Sequence, residues 1–191
     1  KPLEKRLNAI LDHGAYIMGP EVYELEEKLA DYCGVKHAIS CSSGTDALLI
    51  PRMAWGIGPG DSVVTTPFTD FATAEVIALL GATPIFVDVY DSTFNIDCEK
   101  LEIAIQDTIK AGVLKPKAII PVDLFGVPAR YRLIASIAKK YDLKVIEDAA
   151  QSFGGSIGDR KVGIFGDIAA TSFYPAKPLG CYGDGGAMFT N

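Results

Sequence analysis

Short apolar runs alternate with helical patterns along most of this chain, and that alternation leaves few folds open. The strand-like runs are residues 37–41, 62–66, 83–88, 117–122, 143–147, 168–173 and 187–190. Helical spacing marks 45–55, 69–80, 97–110 and 129–141 between the earlier runs. Upstream, residues 21–33 set Val22, Leu25, Leu29 and Tyr32 on one helical face. Pro20 suits the first turn of that helix and Gly34 its stop. Strands alternating with helices imply βαβ units, and so a mostly parallel central sheet covered by helices on both faces. The last two runs follow each other with no helix between them, which predicts a locally antiparallel sheet.

Composition narrows the function classes. A chain of 191 residues is long enough for one sizeable core, and 49% apolar with 22% charged residues is ordinary for a globular domain. A net charge of −6 with no Lys/Arg cluster argues against a nucleic-acid surface. The longest apolar stretches, such as 118–122, are strand-sized and too short to span a bilayer. No signal peptide is visible after Lys1, so a cytoplasmic location with no membrane partner is expected. Cys33, Cys41, Cys98 and Cys181 form no Cys-x-x-Cys pair, and His13 and His37 are the only histidines. Neither a disulfide framework, a zinc site nor another metal centre is expected. The run 187–190 reads as a buried strand directly before Asn191, which suggests one large lobe, 1–191, of a longer protein.

In an open α/β sheet, ligands sit beyond the carboxyl ends of the strands. Here those ends carry a telling set. The run 143–147 leads into Asp148, Ala149, Ala150 and Gln151; the run 168–173 contains Ser172 and leads to Tyr174, Pro175, Ala176, Lys177 and Pro178. A carboxylate, a hydroxyl and a lysine in this order match the needs of pyridoxal phosphate. Its ring nitrogen needs an anion, its phosphate needs donors and its aldehyde needs an amine. Pro175 and Pro178 stiffen the loop of Lys177, and Gly180, Gly183, Gly185 and Gly186 permit tight turns. After the first strand, Ser43, Gly44 and Thr45 open a helix, whose unpaired N–H groups suit a phosphate; plain helix capping is the alternative reading. Asp148 could instead be a surface or helix-capping carboxylate, and Lys177 one more surface lysine, but the apolar strand before Asp148 and the prolines and glycines around Lys177 favour binding roles. The run Gly183-Asp184-Gly185-Gly186 is followed by a strand pattern, so it fails as a dinucleotide fingerprint.

Taken together, the motifs resemble the DegT/DnrJ/EryC1/StrS group of pyridoxal-phosphate sugar aminotransferases, within fold type I. The resemblance runs from Gly19-Pro20-Glu21-Val22, through Ser43-Gly44-Thr45-Asp46-Ala47-Leu48, Gly58-Pro59-Gly60-Asp61 and Gly81-Ala82-Thr83-Pro84. It continues through 145–151 to 172–177 and 183–186. It implies the large, pyridoxal-phosphate-binding domain of that fold, an α/β/α sandwich, with a smaller C-terminal domain absent from this chain. Carried over by position, Lys177 would bond the cofactor aldehyde and act with Asp148 in catalysis. Asp148 would hold the ring nitrogen and Gln151 would contact the ring hydroxyl. Ser43, Gly44, Thr45 and Ser172 would hold the phosphate. Similar sequences carry an aromatic residue at the position of Asp70, stacked on the cofactor ring; here Phe68 or Phe71 would have to take over, or binding weakens. A lysine rather than a histidine at 177 separates the chain from related sugar dehydratases. The implied reaction moves an amino group from an amino acid, glutamate in this reading, to a nucleotide-linked keto sugar, in a homodimer. The segment 171–186 looks closest to UDP-linked 3-keto-uronic-acid aminotransferases of O-antigen synthesis. A pyridoxal-phosphate-dependent dehydratase and a non-catalytic regulatory protein that binds the cofactor are the alternatives.

Overall fold

Every strand and helix read from the sequence forms, with ends shifted by a residue or two. In the computed structural model, which describes residues 1–191, the order is α1 (Pro2–His13), α2 (Pro20–Cys33), β1 (His37–Cys41), α3 (Gly44–Ala54), β2 (Asp61–Thr65), α4 (Phe71–Leu79), β3 (Thr83–Phe86) and α5 (Cys98–Ala111). There follow β4 (Lys115–Ile120), a 3-10 turn (Leu124–Gly126), α6 (Tyr131–Tyr141), β5 (Lys144–Asp148), β6 (Ser156–Ile157), β7 (Arg160–Lys161), β8 (Ile168–Ser172) and β9 (Gly186–Thr190). The boundary shifts have local causes. Helix α4 starts at Phe71 rather than 69 because Asp70 caps it, its Oδ1 accepting from Ala72 N at 3.0 Å. Helix α6 starts late because Ala129 N instead donates to the Asp123 carboxylate at 2.8 Å. Helix α1 and the small β6–β7 hairpin lie outside the sequence expectation. Helix α1 buries no residue, although Leu3, Leu7 and Leu11 fall one turn apart.

Seven strands make one sheet, in the order β1-β9-β8-β5-β4-β2-β3. Strand β9 runs antiparallel to both β1 and β8, and the other pairings are parallel. Every strand except β9 therefore ends at one edge of the sheet, and β9 starts there, with Gly186 opposite Cys41 and Ser172.

Alternate side chains feed opposite faces of the sheet. Ala118, Ile120 and Ile146 pack with Ala47, Leu48, Val76 and Ile77 of α3 and α4. Ile119 and Val145 turn the other way, onto Leu101, Ile105, Ile134 and Ile137 of α5 and α6. Nearer the β1 edge, Ala38, Ala169, Ala187 and Phe189 meet Leu29, Ala30 and Cys33 of α2. The result is the expected α/β/α sandwich, in which each fully buried aliphatic side chain contributes about 1.5–3 kcal/mol. Helix α3 breaks the pattern. Pro51 lies inside it, and Arg52 is fully buried, with Nε donating to the Leu48 carbonyl at 2.9 Å and both terminal nitrogens without a partner. No helix is long and apolar enough to cross a membrane.

Candidate active site

The carboxyl edge of the sheet surrounds a cavity of about 740 Å³. Ser43, Gly44, Thr45, Asp148, Gln151, Ser172 and Lys177 all line it; Phe68 and Phe71 do not. The residues separated most widely along the chain meet because β1, β5 and β8 end together.

Asp148, the last residue of β5, is only 5% exposed. Its Oδ2 accepts from Thr73 Oγ1 at 3.0 Å and its Oδ1 from Ala150 N at 3.3 Å. Burial raises its pKa, while those two hydrogen bonds and the nearby Lys177 ammonium pull it back. The buried carboxylates beside it are already engaged. Asp123 accepts from Tyr131 Oη, Ala129 N and Ser152 Oγ at 2.7–2.8 Å. Glu147 accepts from Gly163 N and Phe165 N, each at 2.7 Å. Burial pushes Asp123 up to about 6 and Glu147 up to about 7. These two hold neighbouring loops in place, and Asp148 alone of the three lines the cavity.

Helix α3 aims its N-terminus at the same space. Ser43 is its N-cap, with Oγ accepting from Asp46 N at 3.0 Å, so the capping reading of this serine holds in the structure. The Asp46 carboxylate in turn accepts from the Ser42 and Ser43 hydroxyls. The N–H groups of Gly44 and Thr45 sit in the first turn, where a helix offers no internal acceptor. Gly44 is required by close approach: a Cβ there would lie 2.6 Å from Ser172 Cβ and 3.0 Å from its Oγ. Gly186 is pressed as tightly on the other side, where a Cβ would lie 2.3 Å from the Ser43 carbonyl oxygen. Ser172 Oγ accepts from Tyr174 N at 3.2 Å, which leaves its proton free to donate.

Lys177 is half-buried in the turn after β8. The turn closes on itself: Lys177 N donates to Tyr174 O at 2.8 Å and Cys181 N to Phe173 O at 2.7 Å. The Gln151 side chain is tied in a way the sequence did not suggest. Its Oε1 accepts from Phe125 N at 2.7 Å, which leaves its amide protons to face a ligand.

The aromatic side differs from expectation. Phe71, at the first turn of α4, is 75% exposed, and Phe68 turns toward Phe94 and Phe125. Asp70 occupies the cavity wall and spends one oxygen capping α4, and the aromatic residues in that wall are Phe125 and Tyr174. Phe125, Thr73, Tyr174 and Asp184 are among the cavity-lining residues the sequence reading missed. Thr73 had one weak signal, a hydroxyl four residues after Thr69, to which it is hydrogen-bonded at 3.0 Å.

These residues fit pyridoxal phosphate. The cradle between α3 and Ser172 admits no side chain at 44, which leaves backbone N–H groups and hydroxyls for a phosphate. A buried carboxylate and a lysine lie in the same cavity wall, as the ring nitrogen and the aldehyde require. No group of His, Cys, Asp and Glu side chains is arranged to hold a metal ion.

Comparison with known proteins agrees with this chemistry. The DegT/DnrJ/EryC1/StrS aminotransferase family matches over residues 1–191. The UDP-2-acetamido-2-deoxy-3-oxo-D-glucuronate aminotransferase of Pseudomonas aeruginosa is 53% identical over 99% of this chain and 51% of its own length. A pleiotropic regulatory protein of Geobacillus stearothermophilus is 47% identical over 97% of this chain and 48% of its own length. Among solved structures, a DegT DnrJ EryC1 StrS aminotransferase from Brucella abortus superposes with a TM-score of 0.96 at 58% identity, covering 100% of this chain and 52% of that one. The chain thus spans about half the length of the relatives it matches.

Proposed function

Since the chain belongs to the DegT/DnrJ/EryC1/StrS aminotransferase family, whose members bind pyridoxal phosphate, we propose that it is the cofactor-binding part of a nucleotide-sugar aminotransferase. The amino group comes from an amino acid, L-glutamate in this reading, and goes to a nucleotide-linked keto sugar. Residues 1–191 form the large domain, and the whole protein is a cytoplasmic homodimer serving surface-polysaccharide synthesis such as that of O-antigen. The relative from Pseudomonas aeruginosa supports a UDP-linked 3-keto-uronic acid as the sugar class.

One observation carries the reading: Asp148, Lys177 and the Gly44–Ser172 cradle line a single cavity. When bound, pyridoxal phosphate supplies an electron sink for the pair left as a proton leaves the carbon bearing the nitrogen. The chain's own residues do the rest. The Gly44 and Thr45 N–H groups with the Ser172 hydroxyl would hold the phosphate, while the Ser43 hydroxyl, already given to Asp46, caps the helix that presents them. Asp148 keeps the ring nitrogen protonated, and Thr73 keeps Asp148 oriented. Gln151 donates to the ring hydroxyl through the amide protons that Phe125 leaves free. Lys177, in the wall of the same cavity, would be the amine that holds the aldehyde and the base that holds and moves a proton at the reacting carbon. One well-placed acid–base group contributes roughly 100- to 10,000-fold.

Lys177→Ala is expected to abolish turnover and to remove the yellow absorbance of the lysine-bonded cofactor. Unimpaired turnover in that variant would sink the assignment. The Geobacillus relative favours a second reading, a cofactor-binding regulatory protein. Release of 2-oxoglutarate from L-glutamate by the wild-type protein decides for the aminotransferase, and the absence of a half-reaction with any amino donor decides for the regulator.

A further inference from the structure

Phe68, Phe94 and Phe125 meet beside the cavity. Their ring centroids are 5.5 Å apart for Phe68 and Phe94, 5.7 Å for Phe94 and Phe125, and 6.3 Å for Phe68 and Phe125. All stay open to solvent, with 47%, 41% and 66% of Phe68, Phe94 and Phe125 exposed. Phe94 and Phe125 also hold φ of +59° and +56°. That region is unfavourable for a bulky L-residue, and glycine adopts it freely. A chain that strains its backbone only to leave two large rings half in water gains no core from doing so. Strain of this kind gathers at ligand clamps.

The cluster is also braced. Gln151 Oε1 accepts from Phe125 N at 2.7 Å. Asn95, next to Phe94, donates from Nδ2 to the carbonyls of Val127 and Pro128 at 3.0 and 3.2 Å, which ties the two aromatic loops together. Phe125 lines the same cavity as Lys177 and Gln151.

We infer that Phe125, backed by Phe94 and Phe68, is a specificity wall against which the pyranose of the sugar substrate packs its C–H face. This rests on the aminotransferase reading above. A pyranose carries hydroxyls around its rim and C–H bonds on its faces, so a flat apolar ring complements a face and leaves the rim to polar groups. Glutamate has no such face. The wall therefore acts on one of the two substrates, while Lys177 and Asp148 act on both.

The test is Phe125→Gly, with Phe125→Leu beside it, in the full-length, cofactor-loaded protein. Three readouts are taken: the spectral change with L-glutamate, the KM for the keto sugar, and calorimetric binding of UDP-N-acetylglucosamine with UDP alone as control. Both the KM and the Kd of the sugar nucleotide should rise roughly tenfold in Phe125→Gly, the size of effect expected for one lost apolar face. Phe125→Leu should fall between. The glutamate step should stay within about twofold of wild type, UDP alone should bind as before, and the thermal midpoint should hold or rise as strain is relieved. Unchanged sugar-nucleotide binding in both variants overturns the inference, as does an equal loss of UDP affinity, which would assign the ring to the base. An equal loss in the glutamate step would assign it to the cofactor and overturns the inference too. A wild-type protein that neither reacts with glutamate nor binds the probe overturns the functional reading itself, and this inference with it.

Discussion

Arg52→Met should make the protein more stable, against the usual direction of a core substitution. The Arg52 side chain is fully buried, its Nε reaches only the Leu48 carbonyl, and Nη1 and Nη2 reach no acceptor. Burial lowers the guanidinium pKa from 12.5 to about 10, with Asp148 drawing it back by less. Each tenfold change in proton affinity is about 1.36 kcal/mol, so the folded chain carries a cost of ~3 kcal/mol for keeping this group charged. That cost is present in full below pH ~10 and fades only as pH climbs from there toward the unfolded value, so it applies at neutrality. Methionine keeps the unbranched stem and fills the site with a flexible apolar chain. It forfeits one hydrogen bond, worth about 1 kcal/mol. The expected net gain is therefore about 2 kcal/mol, or a rise of roughly 4–8 °C in Tm for a chain of this size. Scanning calorimetry and urea unfolding of both proteins at neutral pH give the answer, with the urea slope checked to be unchanged. A loss of about 1 kcal/mol or more would refute the reasoning, because it would mean that the guanidinium is satisfied in the folded state.

Thr73→Val removes the hydroxyl that donates to Asp148 Oδ2 at 3.0 Å and preserves its shape. A hydrogen bond to a charged group contributes about 1.5–3 kcal/mol, so pyridoxal phosphate affinity should fall tenfold or more, and an unchanged absorbance titration would contradict the role given to Asp148. Asp123 and Glu147 predict an unusual pH dependence, since burial raises their pKa values from 3.8 to about 6 and from 4.5 to about 7. These two groups bind more protons in the fold than in the unfolded chain between pH ~4 and ~7, so their contribution to stability should increase as pH falls from about 8 to about 5.5. A thermal midpoint that drops steadily over that range would show that these carboxyls are not penalised by burial.

Much of the architecture was legible because burial on both faces writes a strand as an apolar run, and β4, β5 and β8 all read that way. Asp148, Ser172 and Lys177 were legible for another reason: the cofactor's chemistry asks for particular functional groups, and those groups follow strand ends. Helix α1 was not legible, since it buries nothing and its leucine spacing had no partner pattern to confirm it. The aromatic side misled for a similar reason. Phe68 and Phe71 flank Asp70 in the chain, but the cap on α4 sets the helix start and leaves Phe71 in solvent.

The sequence alone determined local periodicity, the strand and helix types, the mostly parallel sheet and the identity of the groups available for chemistry. The tertiary structure decided which of those groups share a wall. Thr73 reaches Asp148 across 75 positions of sequence, and Gln151 reaches Phe125 across 26. Such meetings depend on the strand order β8-β5-β4-β2, which results from long-range pairing and leaves no periodic trace in any one segment. Local spacing reports which face a residue occupies; only the assembled sheet brings two distant faces to the same cavity.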